Sequence, residues 1–187
     1  PGGKDLESYH SKCCHGTGYT RMLADYKGIH SEARYFVPLN RSYEVWSLSV
    51  INTSNEEREL TITGYAEFTN SSNYEQDQVN LQYSQFITRT CFRENRIRQM
   101  IHGNLDGLGE DEDIDNKVII ERFFGLAGAP VTSYCGSKEK FIGRYHGYGN
   151  PVGVESGKLS GEMNYNGNSC GALATVIRLA PGEERQI

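Results

Sequence analysis

Strict alternation of apolar and polar residues is the feature that most constrains this chain. Between Ile29 and Val37, the residues Ile29, Ser31, Ala33, Tyr35 and Val37 fall on one side, and His30, Glu32, Arg34 and Phe36 on the other. Successive side chains of a strand point to opposite faces, so a period of two predicts a strand. The pattern recurs from Glu44 to Asn52, where Trp46, Leu48 and Val50 share a face and Trp46 is expected in the core. It recurs again from Leu60 to Phe68 and from Ala172 to Leu179. Pro38 ends the first segment, and the polar run Asn52-Thr53-Ser54-Asn55-Glu56 makes a turn after the second. Two strands joined by about seven polar residues predict an antiparallel hairpin between Glu44–Asn52 and Leu60–Phe68.

The rest of the chain fits the same class. Leu81 to Phe92 resumes a strand pattern, and the apolar run Val118 to Phe124 predicts a buried strand. Asn70 to Asn80 and the acidic stretch Asn104 to Asn116 are polar enough to be loops. Pro181-Gly182-Glu183-Glu184 forms a turn before a strand that restarts at Arg185. The best helical signal is a short turn near Ser137 to Phe141. With 21 glycines, and 12 tyrosines against 7 phenylalanines, the composition suits strands and tight turns. The expected fold is all-β, an antiparallel β-sandwich, with residues 1–187 forming one domain. The chain opens on Pro1-Gly2-Gly3 and stops at Gln186-Ile187, and it reads as an incomplete piece of a larger protein.

Composition removes several functions. A net charge of −5 argues against a general nucleic-acid binder, which needs a concentrated basic surface. No apolar run approaches the roughly 20 residues of a membrane-spanning helix. Five cysteines (Cys13, Cys14, Cys91, Cys135 and Cys170) are too few and too irregular for a disulfide scaffold. They read as reduced thiols of a cytoplasmic protein. Three Asn-x-Ser sequons at Asn40, Asn52 and Asn70 carry no weight without a secretion signal.

Chemistry-bearing clusters are sparse. His10, Cys13, Cys14 and His15 are soft ligands, but no second paired set accompanies them, and tetrahedral zinc normally takes four. Their segment reads as a loop shaped by Gly16 and Gly18, with no metal and no cofactor. Gly16-Thr17-Gly18 lacks the third glycine and the crossover helix of a dinucleotide site. No carboxylate pair stands at a catalytic spacing. The stretch Asn73 to Tyr83 mixes amides, carboxylates and tyrosines, which are the groups that grip sugar hydroxyls and stack on sugar rings.

Several runs, in one order, resemble the cellobiose and cellodextrin phosphorylases (glycoside hydrolase family 94, formerly glycosyltransferase family 36). They are Cys14-His15-Gly16-Thr17-Gly18-Tyr19-Thr20, Tyr35-Phe36-Val37-Pro38-Leu39, Glu44-Val45-Trp46 with Asn52-Thr53-Ser54, and Gly64-Tyr65-Ala66-Glu67-Phe68. Further along stand Phe141-Ile142-Gly143-Arg144-Tyr145, Asn150-Pro151-Val152, Val154-Glu155-Ser156-Gly157, Cys170-Gly171-Ala172-Leu173 and Leu179-Ala180-Pro181-Gly182-Glu183-Glu184.

The resemblance implies an inverting phosphorylase that splits a β-linked gluco-oligosaccharide with inorganic phosphate as co-substrate, releasing α-glucose 1-phosphate. It implies a helical barrel elsewhere in the parent protein that carries the acid and the phosphate site, so no catalytic residue is assigned here. It also implies a homodimer in which Asn73, Glu75, Gln76 and Tyr83 border the partner's acceptor site. Cellobiose-specific relatives carry an arginine close to where Tyr83 stands, so longer cellodextrins or a laminaribiose-like sugar enter as substrates. The competing expectation is a free-standing carbohydrate-binding module.

Overall fold

The computed structural model describes residues 10–69, 78–102 and 118–187. They form β1 (His10–His15), β2 (Tyr19–Tyr26), β3 (Ile29–Phe36), β4 (Val45–Asn52), β5 (Arg58–Glu67), α1 (Leu81–Phe86), β6 (Thr88–Arg93), β7 (Arg96–His102) and β8 (Val118–Gly125). Then follow β9 (Ser133–Ser137), α2 (Lys138–Ile142), α3 (Val152–Glu155), β10 (Ser169–Leu179) and β11 (Glu184–Gln186). The strands make three sheets, ordered β1-β2-β3-β4-β11, β5-β10-β9 and β6-β7-β8. The fold is therefore mostly antiparallel β, as the alternation predicts. Two compact units divide the chain, 1–60 with 176–187 and 61–175, and the boundary falls within β5 and β10.

In the first unit the registers Met22↔Ala33 and Tyr35↔Trp46 separate two faces of the five-stranded sheet. Met22, Ala33, Tyr35, Trp46, Leu48 and Val50 share the apolar face. Arg21, Glu32, Arg34, Asp25 and His30 share the other, where the Arg21 guanidinium donates to both oxygens of Glu32 at 2.7 and 2.5 Å. The β2–β3 turn consists of Lys27 and Gly28, both left-handed at φ 45° and 76°, the geometry that matches the twist of a two-residue hairpin.

Several expectations need correction. Residues 10–15 are a strand, not a loop, because each of them finds a ladder partner on β2 from Asp25 to Thr20. β4 and β5 do not form a hairpin with each other. Asn52 is fully buried; its side-chain amide donates to Glu56 O and Leu179 O, and its Oδ1 accepts from the backbone and hydroxyl of Ser54. That turn leads the chain into a second sheet, and β11 takes the place beside β4. Trp46 is 38% exposed, edge-on to Tyr35 at 5.5 Å. Along β4 burial rises from Trp46 to Val50 and Asn52, so the tryptophan occupies the open end of its face. Finally, β8 is the edge strand of its sheet, with Phe123 at 56% exposure, so the run Val118–Phe124 is not wholly buried.

The second unit holds a small dense core. β10 lies between β5 and β9, and all seven residues from Ser169 to Thr175 are buried. Cys135, Phe141, Leu159, Cys170, Ala172 and Ala174 pack together, with Tyr65 stacked on Phe141 at 4.3 Å. Gly171 is small by necessity, since a Cβ there would stand 2.5 Å from the Cβ of Phe124. The β6–β7 turn repeats the left-handed pair, at Glu94 and Asn95.

The segment read as one strand from Leu81 to Phe92 is instead α1 followed by β6. The Ser84 hydroxyl donates to Asn80 O and the Thr88 hydroxyl to Ser84 O, contacts four residues apart that exist only on a helical turn. The helical signal near Ser137 becomes α2. Ser137 is its N-cap, accepting from Lys140 N at 3.4 Å.

Candidate functional site

Asn73, Glu75 and Gln76 lie outside the described residues. Tyr83 lies on α1, where its backbone is described. On β1, Cys13 and His15 share a face of the strand. The Cys13 thiol meets His15 Nε2 at 3.5 Å, and His15 Nδ1 meets the Thr20 hydroxyl at 3.0 Å. Among the described residues no three His, Cys, Asp or Glu side chains are grouped to hold a metal ion. All five cysteines are free.

Polar chemistry gathers in the second unit, around an open cavity of about 410 Å³. Gln85 of α1, Glu139 and Lys140 of α2, and Asn164, Tyr165 and Asn166 of the following loop line it. The lining is held by a chain of hydrogen bonds. Gln85 Nε2 donates to Asn168 Oδ1 at 3.1 Å, and Asn168 Nδ2 donates to Glu139 Oε1 at 2.9 Å. The backbone N–H of Asn168 adds a bond to the same oxygen at 3.3 Å, while the Ser137 hydroxyl donates to Glu139 Oε2 at 3.3 Å. Asn164, 3% exposed, fixes the loop by donating from its amide to Gly167 O, Ser169 Oγ and Thr88 O. Its backbone N–H is held at 2.7 Å by the Thr90 hydroxyl of β6.

Beside β5 stands a second polar assembly. Glu67 Oε1 accepts from the hydroxyls of Tyr65 at 2.8 Å and Tyr148 at 2.5 Å, and Lys138 Nζ donates to Oε2 at 2.9 Å. Lys138 also sits 5.3 Å from the centre of the Tyr148 ring. Partial burial alone would raise the Glu67 carboxyl, but the donors Tyr148, Lys138 and Tyr65 outweigh it and hold the group below its ordinary range. Burial first, and then the bond to Glu67, pushes the Tyr65 phenol up. The tyrosine therefore stays protonated and acts as a donor. Each ring and carboxylate here is hydrogen-bonded to another member of the assembly.

Sequence reasoning placed its sugar-gripping residues between Asn73 and Tyr83 and overlooked Glu139, Asn164 and Asn168. The segment Asn164-Tyr165-Asn166-Gly167-Asn168 has the same amide-and-tyrosine chemistry as the one singled out. It could have been read on composition alone; what could not be read is that folding brings Gln85 to it.

The comparisons with known proteins agree with this fold. The chain is 31% identical to an N,N'-diacetylchitobiose phosphorylase of Vibrio proteolyticus over 185 residues, covering 98% of this chain and 22% of that protein. It is 27% identical to a solabiose phosphorylase of Paenibacillus borealis, covering 98% of this chain and 22% of the relative. It is also 27% identical to the cyclic beta-(1,2)-glucan synthase NdvB of Rhizobium meliloti, over 92% of this chain and 6% of the relative. The chain thus spans about a fifth of the length of the phosphorylases it matches. A profile described as glycosyl hydrolase 94, supersandwich domain, covers residues 1–187, and the chain belongs to that family.

Proposed function

We propose that this chain is the N-terminal β domain of an inverting glycoside phosphorylase, and that the parent protein cleaves a β-linked disaccharide with inorganic phosphate to give an α-configured sugar 1-phosphate. The observation that carries this reading is the family match over the whole chain, together with relatives that are disaccharide phosphorylases. The chemistry is economical. An inverting glycosidase needs an acid for the leaving oxygen and a base to activate water. Phosphate is already an anionic nucleophile, so a phosphorylase needs the acid and cationic groups that hold the phosphate. In this reading both belong to a helical barrel of the parent protein, and the present domain supports a homodimer and shapes the acceptor side. Asn73, Glu75, Gln76 and Tyr83 are the acceptor residues proposed.

The same relatives widen the set of candidate sugars. An N-acetylated chitobiose-type substrate joins cellobiose, cellodextrins and laminaribiose, with support from the 31% identity to a diacetylchitobiose phosphorylase. The test is to incubate the full-length protein with each of these sugars, with and without phosphate, and to assay the sugar phosphate. Phosphate-dependent release from one sugar is expected. Phosphate-independent hydrolysis, or no reaction with any of them beside retained sugar binding, would overturn the proposal and favour a carbohydrate-binding module.

A further inference from the structure

The cavity beside α1 and α2 has a specific donor and acceptor layout. Its floor carries one carboxylate, Glu139, oriented by Ser137 and Asn168. Lys140 and Asn166 line the same space, and neither side chain has a hydrogen-bond partner among the described residues. Tyr165 lines the same space at 68% exposure. That ring stands on a rigid base, because Asn164 before it is buried and bonded and Arg89 forms a bridge with Tyr165 itself. Asn166 after it is left-handed, at φ 64°.

Each feature narrows the ligand. A cavity of about 410 Å³ is at the small end of ligand clefts, which run roughly 300–1,000 Å³. A phosphate or nucleotide would meet the Glu139 carboxylate on the floor. A divalent cation would find one carboxylate and an ammonium. A sugar ring fits, because each hydroxyl both donates and accepts, and one ring face presents C–H groups to an aromatic. Hydroxyls can donate to Glu139 and accept from Lys140 and Asn166 while the ring lies on Tyr165.

We infer that this cavity is a binding subsite for one neutral pyranose ring of a β-linked oligosaccharide, with Tyr165 as its platform, Glu139 as acceptor, and Lys140 and Asn166 as donors. The cavity takes in Gln85, two positions after Tyr83 on α1, and the β-linked class of its sugar rests on the proposed function.

The experiment is hydrogen exchange by mass spectrometry on the intact protein carrying this chain. It is run without phosphate, with increasing cellobiose or N,N'-diacetylchitobiose. Peptides covering 137–142 and 161–168 are expected to gain saturable protection. Aromatic stacking and hydrogen bonds of ordinary strength imply that Tyr165→Ala and Glu139→Gln each raise the midpoint by about fivefold or more. Tyr145→Ala, at another exposed tyrosine, should leave it unchanged. Absence of protection in those peptides would overturn the subsite. So would protection with an unaltered midpoint in Tyr165→Ala, which would mean a signal relayed from sugar bound elsewhere. A protein inert towards phosphate that still shows the Tyr165-dependent protection would sink the phosphorylase reading and leave the subsite standing.

Discussion

Single residues carry sharp consequences where neighbours leave no room or no alternative partner. Gly171 touches Phe124 so closely that Gly171→Ala should destabilise by about 1–3 kcal/mol, the range for overpacked cores. A lowered urea midpoint with an unchanged slope would register it; an unchanged midpoint would mean that Phe124 moves aside freely. Glu67 gives a pH dependence with a definite sign. Its carboxyl is held below the ordinary value in the folded chain, so its contribution to stability is present above the unfolded value. It is lost as pH falls through the folded one. Acid titration of stability should therefore be shallower in Glu67→Gln than in the parent, and equal slopes would show that the three donors do not favour the charged form. Trp46, with an open face, should cost less on truncation to alanine than the about 3–5 kcal/mol of a core tryptophan.

At the scale of elements, the packing of β6 against the loop before β10 depends on Thr90. Its buried hydroxyl accepts the Asn164 N–H at 2.7 Å, and Thr90→Val leaves that donor without its partner. The expected cost is about 1–3 kcal/mol, measured by denaturant unfolding, and a neutral variant would mean that the loop re-forms around another acceptor. Much of the element list was legible. β3, β4, β5 and β10 match their segments to within three residues at each end; in β3, β4 and β5 the two faces differ in polarity, and in β10 the run from Cys170 to Ala174 is apolar on both faces and buried. What escaped was set by contacts distant in sequence. Nothing in the polar run after Asn52 says that its side chain reaches Leu179 O, or that β11 and not β5 pairs with β4. Nothing in Leu81–Phe86 marks a helix, since six residues are too few for an apolar stripe and the Ser84 and Thr88 back-bonds show only in three dimensions. The candidate site was half legible for the same reason. Its amides and tyrosine are neighbours in sequence, whereas Gln85 joins Asn168 across 83 positions.

For the molecule as a whole, the chain supplies a β scaffold with a polar cavity of about 410 Å³, and the proposed function assigns the reaction to a helical barrel of the parent protein. On that account the 187-residue chain by itself makes no sugar phosphate. The most direct measurement follows phosphate consumption and the anomeric proton of the product by nuclear magnetic resonance, for the full-length protein and this chain in parallel. The sugar is the one found active in the panel of β-linked substrates. The account predicts stoichiometric loss of phosphate and an α-configured sugar 1-phosphate with the full-length protein, and no turnover with the chain alone. A free reducing sugar formed without phosphate, a β-configured product, or turnover by the isolated chain would contradict it.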